Sequence, residues 1–414
     1  MRLVYKFKTY EHVSELTRLC KISKDLYNQA LYAVRSAMQK GNFLFYNDLD
    51  KLMKETTNLD GECNYRLLKA QVAQQTLKIV DKSVKSYLKS VKDWSKHKDK
   101  YKGKPCLPSY KGKNALFFLT YTNQCCTIKQ GRLFLNKELS INIPQYDKYA
   151  ELLETFQQAR ILPKLDGSFE VELIYLQDIV NNNLDKTRCA SIDLGVDNFA
   201  TMVTDFGRPI IYSGKQIKSK NRYFNKEIAR LKSCAEKCNK KKTTKEIRSL
   251  YAKREMQMQD VLHKMSKHIV STLAKNNVGT LICGQNEGWK DSINIGKQNN
   301  QTFVQIPYDT FISYLRYKCE MQGISFITTE ESYTSKCDAL ASEEIRKHDE
   351  YLGKRVKRGL FQSSIGKLLN ADVNGALNIM RKVVGDSENV SRITNSGWLY
   401  QPMVLRSVYA LRKQ

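Results

Sequence analysis

Residues 188–204 read Arg-Cys-Ala-Ser-Ile-Asp-Leu-Gly-Val-Asp-Asn-Phe-Ala-Thr-Met-Val-Thr, and this stretch decides the second half of the chain. Residues 188–193 and 199–204 are apolar runs of strand length on either side of a Gly-containing turn. They predict the first two strands of a buried sheet, with Asp193 at the end of the first. A carboxylate there is costly to bury unless it is paired or holds a cation. An Asp-x-Gly turn between strands is common, so the weight falls on what surrounds it.

Three further stretches follow. Leu281-Ile282-Cys283-Gly284-Gln285-Asn286-Glu287-Gly288-Trp289-Lys290 is an apolar strand breaking into a Gly-rich turn. Residues 324–336 form another strand, ending in Glu330-Glu331 and then Ser332-Tyr333-Thr334-Ser335-Lys336. Asn370-Ala371-Asp372-Val373-Asn374-Gly375-Ala376-Leu377-Asn378-Ile379 places Asp372 at the start of a short helix whose small residues permit close packing on the sheet. Asp193, a glutamate and Asp372, brought together from two strand ends and a helix start, would meet the need of two-metal phosphodiester hydrolysis for converging carboxylates. Oxygen ligands suit Mg²⁺. Between the strands, residues 215–275 carry 18 Lys/Arg against 5 Asp/Glu and predict a basic helical hairpin with a break near 240. It suits a nucleic-acid channel, or else is a charged, solvated helix pair.

Upstream, residues 2–9 read as one strand, and residues 11–95 as helices with apolar residues at three- to four-residue steps. Residues 96–113 form a Lys-rich loop with two Pro and two Gly. Its readings are a backbone docked against phosphates or a solvated linker. Residues 115–180 are strand-rich, in ALFFLTYT, CTIKQGRLFL, SINIP and SFEVELIYL. The polar run 181–187 is the expected domain boundary, and the tail after about 386 is expected to be poorly ordered.

The 414 residues include 69 Lys+Arg against 42 Asp+Glu, a net charge of +27. Such an excess fits a polyanionic partner, and its spread along the chain favours nucleic acid over a membrane surface. No apolar run is long enough to span a bilayer, and the N-terminus lacks an export signal, so a cytoplasmic protein with no membrane partner is expected. Eleven cysteines without any Cys-x-x-Cys pair support neither a disulfide framework nor a zinc site.

The four motifs together, in this order, resemble the TnpB family: Asp193-Leu194-Gly195-Val196, Gly284-x-Asn286-x-x-Trp289-Lys290, Tyr333-Thr334-Ser335-Lys336 and Asn370 to Ile379. These are RNA-guided nucleases of bacterial insertion sequences, relatives of compact type V CRISPR effectors. Gly103-Lys104-Pro105-x-Leu107-Pro108-x-Tyr110-Lys111 is also similar to the family's N-terminal half. The resemblance implies a multidomain α+β and α/β chain. Its parts would be a wedge β-barrel (1–10 and 96–182), an inserted helical recognition lobe (11–95) and a RuvC domain of RNase H-like fold (183–332 and 369–386). A small target-strand loading module (333–368) and a C-terminal tail (387–414) complete it. It implies a guide RNA, double-stranded target DNA read beside a short flanking motif, cleavage of both strands with two Mg²⁺ ions (or Mn²⁺) and a place with the prokaryotic nucleoid; the sequence does not give the oligomeric state, and a monomer is favoured. Within the same resemblance stand two alternatives: a CRISPR-type effector with a separate guide, and a nuclease-inactive, RNA-guided repressor. A strand-joining transposase would need a His-x-His pattern with a nucleophilic tyrosine, which is missing.

The sequence departs from the family pattern twice. Where most relatives end the second RuvC strand in the middle catalytic Glu, this chain has Gly284. In a subgroup that includes the eukaryotic Fanzor relatives, that Glu comes from the next strand, before Tyr-Thr-Ser-Lys. Glu331 fits that place, with Glu330 and Glu287 as weaker candidates. Catalytic and metal-holding residues are thus expected to be Asp193, Glu331 and Asp372. The loading module usually carries two Cys-x-x-Cys pairs, but here has only Cys337, so no zinc is expected. Nucleic-acid contacts are expected from Lys104, Tyr110, Lys111, Gln285, Asn286, Lys290, Lys336, Lys354, Arg355, Lys357 and Arg358. Trp289 reads as a packing residue or a nucleic-acid contact.

Overall fold

A computed structural model describes residues 1–180, 182–239, 243–285 and 304–407. The chain divides into two units, Met1–Gln177 and Asp178–Gln414.

In the first unit, strand β1 (Arg2–Thr9) pairs antiparallel with β7 (Phe169–Leu176) over its whole length. β6 (Phe156–Pro163) and β2 (Leu119–Thr122) extend this sheet to four strands, and β3 (Thr127–Lys129), β4 (Arg132–Phe134) and β5 (Ser140–Asn142) form a separate three-stranded meander. The strand at 156–163 is absent from the sequence reading because Gln157, Gln158 and Arg160 break its apolar alternation. Between β1 and the rest of the sheet lie helices α1 (Val13–Gln39), α2 (Tyr46–Met53) and α3 (Ala70–Lys96). Leu16, Leu19, Leu26 and Leu31 of α1 and Val72, Leu77, Val80 and Val84 of α3 are buried at helical spacing, in one core with the sheet.

The second half of the basic loop is docked rather than free. The Asn28 side chain makes two bonds to the Lys111 backbone, donating to its carbonyl at 2.9 Å and accepting from its N–H at 2.8 Å. Arg35 donates to the Pro108 carbonyl and lies 4.7 Å over the Tyr110 ring.

The second unit is built on six strands. β8 (Asp185–Leu194) is flanked by antiparallel β9 (Asn198–Thr204) on one side and parallel β11 (Val278–Gly284) on the other. β10 (Ile210–Ser213) follows β9, and β12 (Ser325–Thr329) follows β11. The tail corrects its sequence reading: Met403–Leu405 pairs parallel with β10 and forms the far edge. Helices Lys245–Lys275 and Tyr308–Met321 cover one face, whose core includes Ala190, Ile192, Leu262, Ile269 and Phe311. Helix Ala371–Val384, the Asp372 helix, covers the other with Cys189, Ile282, Ala376 and Ile379. Side chains alternate along a strand, so Asp193 shares the face of Cys189, and Gly284 that of Ile282. Both therefore point toward the Asp372 helix.

Between β12 and that helix, residues 333–370 fold around buried polar groups. Asp338 accepts from the Leu340 N–H at 3.1 Å, the Ser363 hydroxyl at 2.7 Å and the Ser364 N–H at 2.7 Å. Glu343 accepts from the backbone N–H of Asp338 and Leu352. Asn374 and Asn378, one helical turn apart, donate to the Cys337 carbonyl. These bonds cross-link the segment and tie it to the Asp372 helix.

Asp338→Ala strands several buried donors at about 1–3 kcal/mol each, so a loss of at least about 3 kcal/mol is expected in denaturant unfolding. The purified protein should carry no stoichiometric zinc by elemental analysis.

Candidate functional site

Asp193 lies at the end of β8, opposite Thr201 of β9 in the antiparallel register. The Asp372 helix is capped by Asn370, whose side-chain oxygen accepts from the N–H groups of Asp372 and Val373 at 2.9 and 3.3 Å. Its body is pinned to the sheet by the Ser191 hydroxyl, which donates to the Ala376 carbonyl at 2.6 Å. Asn198, on the turn after Asp193, donates from its amide to the Asp372 carboxylate at 2.5 Å.

Glu331 lies two residues past the end of β12. Its backbone carbonyl accepts from the Thr334 hydroxyl at 2.8 Å and the Thr334 N–H at 3.2 Å. Tyr333 takes the left-handed conformation, φ 67°, that closes this turn. The carbonyl of Thr334 in turn accepts from Asn378 at 2.9 Å. Glu330 faces out instead, bonded by the Ser332 hydroxyl and paired with Lys382 at 3.7 Å.

Two glycines clear the space for these carboxylates. A methyl group on Gly375 would come within 2.7 Å of Asp193 Oδ2. One on Gly284 would strike the Glu331 carboxylate and come within 2.6 Å of Ile379 Cδ1. Gly284 therefore stands where the Glu331 side chain enters from the neighbouring strand.

The electrostatics follow from this crowding. Burial, then Glu331 and then Asp372, push the Asp193 carboxyl well above its usual range, opposed by the positive charge of Arg355. Burial likewise pushes Glu331 up to about 7, with Lys382 opposing. Like charges held together out of water are unstable unless a cation joins them. The donors are all oxygen, which suits a hard divalent ion. Among the described residues the buried Thr201 hydroxyl has no protein partner, a second polar group available on the same face. No three acidic, His or Cys side chains among the described residues already form a metal-ligand arrangement. The chemistry of the set thus fits a divalent ion that draws the carboxylates together.

The remaining expected contacts are scattered. Lys354, Arg355, Lys357 and Arg358 sit exposed on a hairpin, and Lys336 lies 5.6 Å over the Tyr351 ring. Lys104 lies 6.0 Å over Trp94. Tyr110 sits under Arg35, and Lys111 lies 4.9 Å over Tyr27, so both take part in docking their own loop. The Gln285 N–H continues the β11–β12 ladder to the Thr329 carbonyl. Asn286, Glu287, Trp289 and Lys290 lie outside the described residues. Sequence reasoning missed Asn198 and Thr201, whose register positions beside Asp193 were the available signal.

A family model described as "probable transposase" (OrfB_IS605) matches residues 170–290. One described as the TNB domain of Cas12f1-like proteins matches residues 308–379. The TnpB-like protein ORF457 of Acidianus two-tailed virus is 28% identical over 207 residues, 48% of this chain and 42% of that relative. The match thus spans less than half of the relative's length. A solved structure titled as the Cas12f1-sgRNA-target DNA complex aligns with a TM-score of 0.51 at 17% identity, over 90% of this chain and 83% of that one. That likeness shows the fold. Among the described residues no helix is long and apolar enough to cross a membrane.

Gly284→Ala and Gly375→Ala should each displace a carboxylate. Both variants are expected to bind divalent ions more weakly by calorimetry while keeping the wild-type circular dichroism spectrum. Asp193→Asn relieves the repulsion and should raise stability in EDTA by about 1 kcal/mol, roughly 2–4 °C in Tm by calorimetric scan.

Proposed function

We propose, from the premise that the chain is TnpB-like in sequence and Cas12f1-like in fold, that it is an RNA-guided DNA endonuclease. The observation that carries this reading is that Glu331 and Asp372 lie close enough for their charges to act on Asp193, with Gly375 and Gly284 leaving room for the Asp193 and Glu331 side chains. The strand order supports it: β10-β9-β8-β11-β12, with three antiparallel strands first and two parallel ones after, is the order of an RNase H-like, RuvC-type sheet. The four-stranded N-terminal sheet with its helical insertion reads as the wedge and recognition lobe. Residues 333–368 read as the target-strand loading module, in which no zinc is expected.

Asp193, Glu331 and Asp372 would hold two Mg²⁺ ions, with Mn²⁺ able to replace them. When bound, such ions activate water and stabilise the leaving oxygen of a phosphodiester. Around them, Asn198 orients the Asp372 carboxylate, and Thr334 fixes the turn that turns Glu331 inward. The net charge of +27 suits the phosphate backbones of a guide RNA and of target DNA. Sequence would be read by base pairing, and the protein would read backbone shape and a short flanking motif. The double-stranded target is cut at this one site, one strand after the other, by a monomer acting at the prokaryotic nucleoid.

The test is cleavage of a plasmid library with randomised flanks by the protein co-purified with its RNA, with Mg²⁺ and with EDTA. Cuts beside one short motif, only with Mg²⁺, are expected. Asp193→Ala, Asp372→Ala and Glu331→Gln should each lose more than the roughly 10–100-fold that outer-shell substitutions cost at metal sites. Glu330→Gln and Glu287→Gln should cut like wild type. Guided DNA binding without cleavage would instead identify a repressor, and strand-transfer products a transposase.

A further inference from the structure

Buried hydroxyls across the second unit are bonded. Ser191 donates to the Ala376 carbonyl at 2.6 Å, Ser266 to the Leu262 carbonyl at 2.8 Å and Thr280 to the Lys186 carbonyl at 2.8 Å. Ser363 donates to the Asp338 carboxylate at 2.7 Å. Two threonines of β9 depart from this pattern. Thr201 is 0% exposed and Thr204 1%, and neither hydroxyl has a partner among the described residues. A buried donor without an acceptor costs stability, and a valine of the same outline would avoid that cost.

The register separates the two. Thr204 stands opposite Ala190, which packs in the core under the long helices. Its hydroxyl therefore faces away from the carboxylates. Thr201 stands opposite Asp193. The next pair on that face, Ser191 and Val203, lies against the Asp372 helix. Side chains directly opposite each other across an antiparallel pair have Cβ atoms about 4.5–5.5 Å apart. A threonine hydroxyl and an aspartate carboxylate at that spacing meet by side-chain rotation, with the backbone in place. A carboxylate is also the acceptor such a donor lacks, since an ionised one offers about four lone-pair sites. The other oxygen-bearing neighbours of the site already have their bonds: Asn198 holds Asp372, and Ser191 holds the helix.

We propose that Thr201 is a positioning residue of the cation site: when a divalent ion draws the carboxylates together, the Thr201 hydroxyl donates to Asp193 and fixes the orientation of that carboxylate. The hydroxyl is kept without a partner in the empty protein because its acceptor is presented only in the loaded one. The proposal rests on the nuclease reading above and adds a residue to its site.

The test uses the full-length protein and two readouts, thermal stability in EDTA and Mn²⁺ affinity by electron paramagnetic resonance. Thr201→Val removes the hydroxyl and keeps the side-chain outline. It should raise Tm in EDTA by about 2–4 °C, because an unsatisfied donor is gone. The same variant should bind Mn²⁺ about 10–100-fold more weakly, the scale of lost outer-shell partners at metal sites. Thr201→Ser keeps the hydroxyl and should bind within about threefold of wild type. Thr204→Val should gain Tm in the same way and leave Mn²⁺ affinity unchanged. With the co-purified RNA, Thr201→Val should need about 10-fold or more Mg²⁺ for half-maximal single-turnover cleavage. A lower Tm for Thr201→Val in EDTA would overturn the proposal, because the hydroxyl would then be bonded already. So would wild-type Mn²⁺ affinity in Thr201→Val, or an equal loss of affinity in Thr204→Val. Each of these leaves the nuclease reading standing. A wild-type protein that binds Mn²⁺ nowhere and cuts nothing with Mg²⁺ would overturn that reading, and this proposal with it.

Discussion

Asp193 is held at the end of a central strand, enclosed by protein, with Glu331 and Asp372 near enough to raise its affinity for a proton. Carboxylates crowded together and partly withdrawn from water oppose folding. Much of the second unit answers that constraint. Gly375 and Gly284 give up side chains so that two of the carboxylates have room. Asn370 caps the helix that presents Asp372, and Asn198 bonds its carboxylate from the adjoining turn. Arg355 and Lys382 contribute the nearest opposing charges. A protein keeps such an arrangement for function, since replacing one carboxylate with an amide would be easier on the fold.

The glycine at position 284 has a direct physical reading. β11 and β12 run parallel and in register, Gly284 beside Thr329, so their ends open at the same level. A side chain entering from just past β12 reaches the space above Gly284, provided Gly284 has none. The end of the neighbouring strand supplies the carboxylate there. Residues 333–370 show the same economy of means. Asp338, Glu343, Asn374 and Asn378 form a buried hydrogen-bond network that ties residues 337–364 to the Asp372 helix. Such a network is stabilising only when its members are satisfied, so it fixes one geometry of the segment as a metal would.

Much of this was legible in the sequence because it depends on local pattern. The apolar runs at 188–193 and 199–204 and the one starting at Leu281, the helix start at Asp372 and the long basic helices follow from periodicity and punctuation. The choice between Glu330 and Glu331 was not. Strand alternation leaves both open, and the structure shows that β12 has already ended at Thr329, so the turn closed by Thr334 decides which residue faces in. The strand at 156–163 was hidden by its glutamines, and the edge strand at 403–405 by its distance in sequence from β10. Tyr110 and Lys111 read as nucleic-acid contacts because they are basic and aromatic. Their engagement with Arg35, Asn28 and Tyr27 depends on a helix some eighty residues earlier. The network around Asp338 joins residues far apart in the chain, and no spacing rule announces it.

The central claim is that Glu331, arriving from the strand beside Gly284, completes one cation site with Asp193 and Asp372. Titration of the full-length protein with Mn²⁺, followed by electron paramagnetic resonance, tests it most directly because it needs no guide and no substrate. The account predicts that binding seen in the wild type is lost in Asp193→Ala and Glu331→Gln and kept in Glu330→Gln. Wild-type Mn²⁺ binding by Glu331→Gln would contradict it.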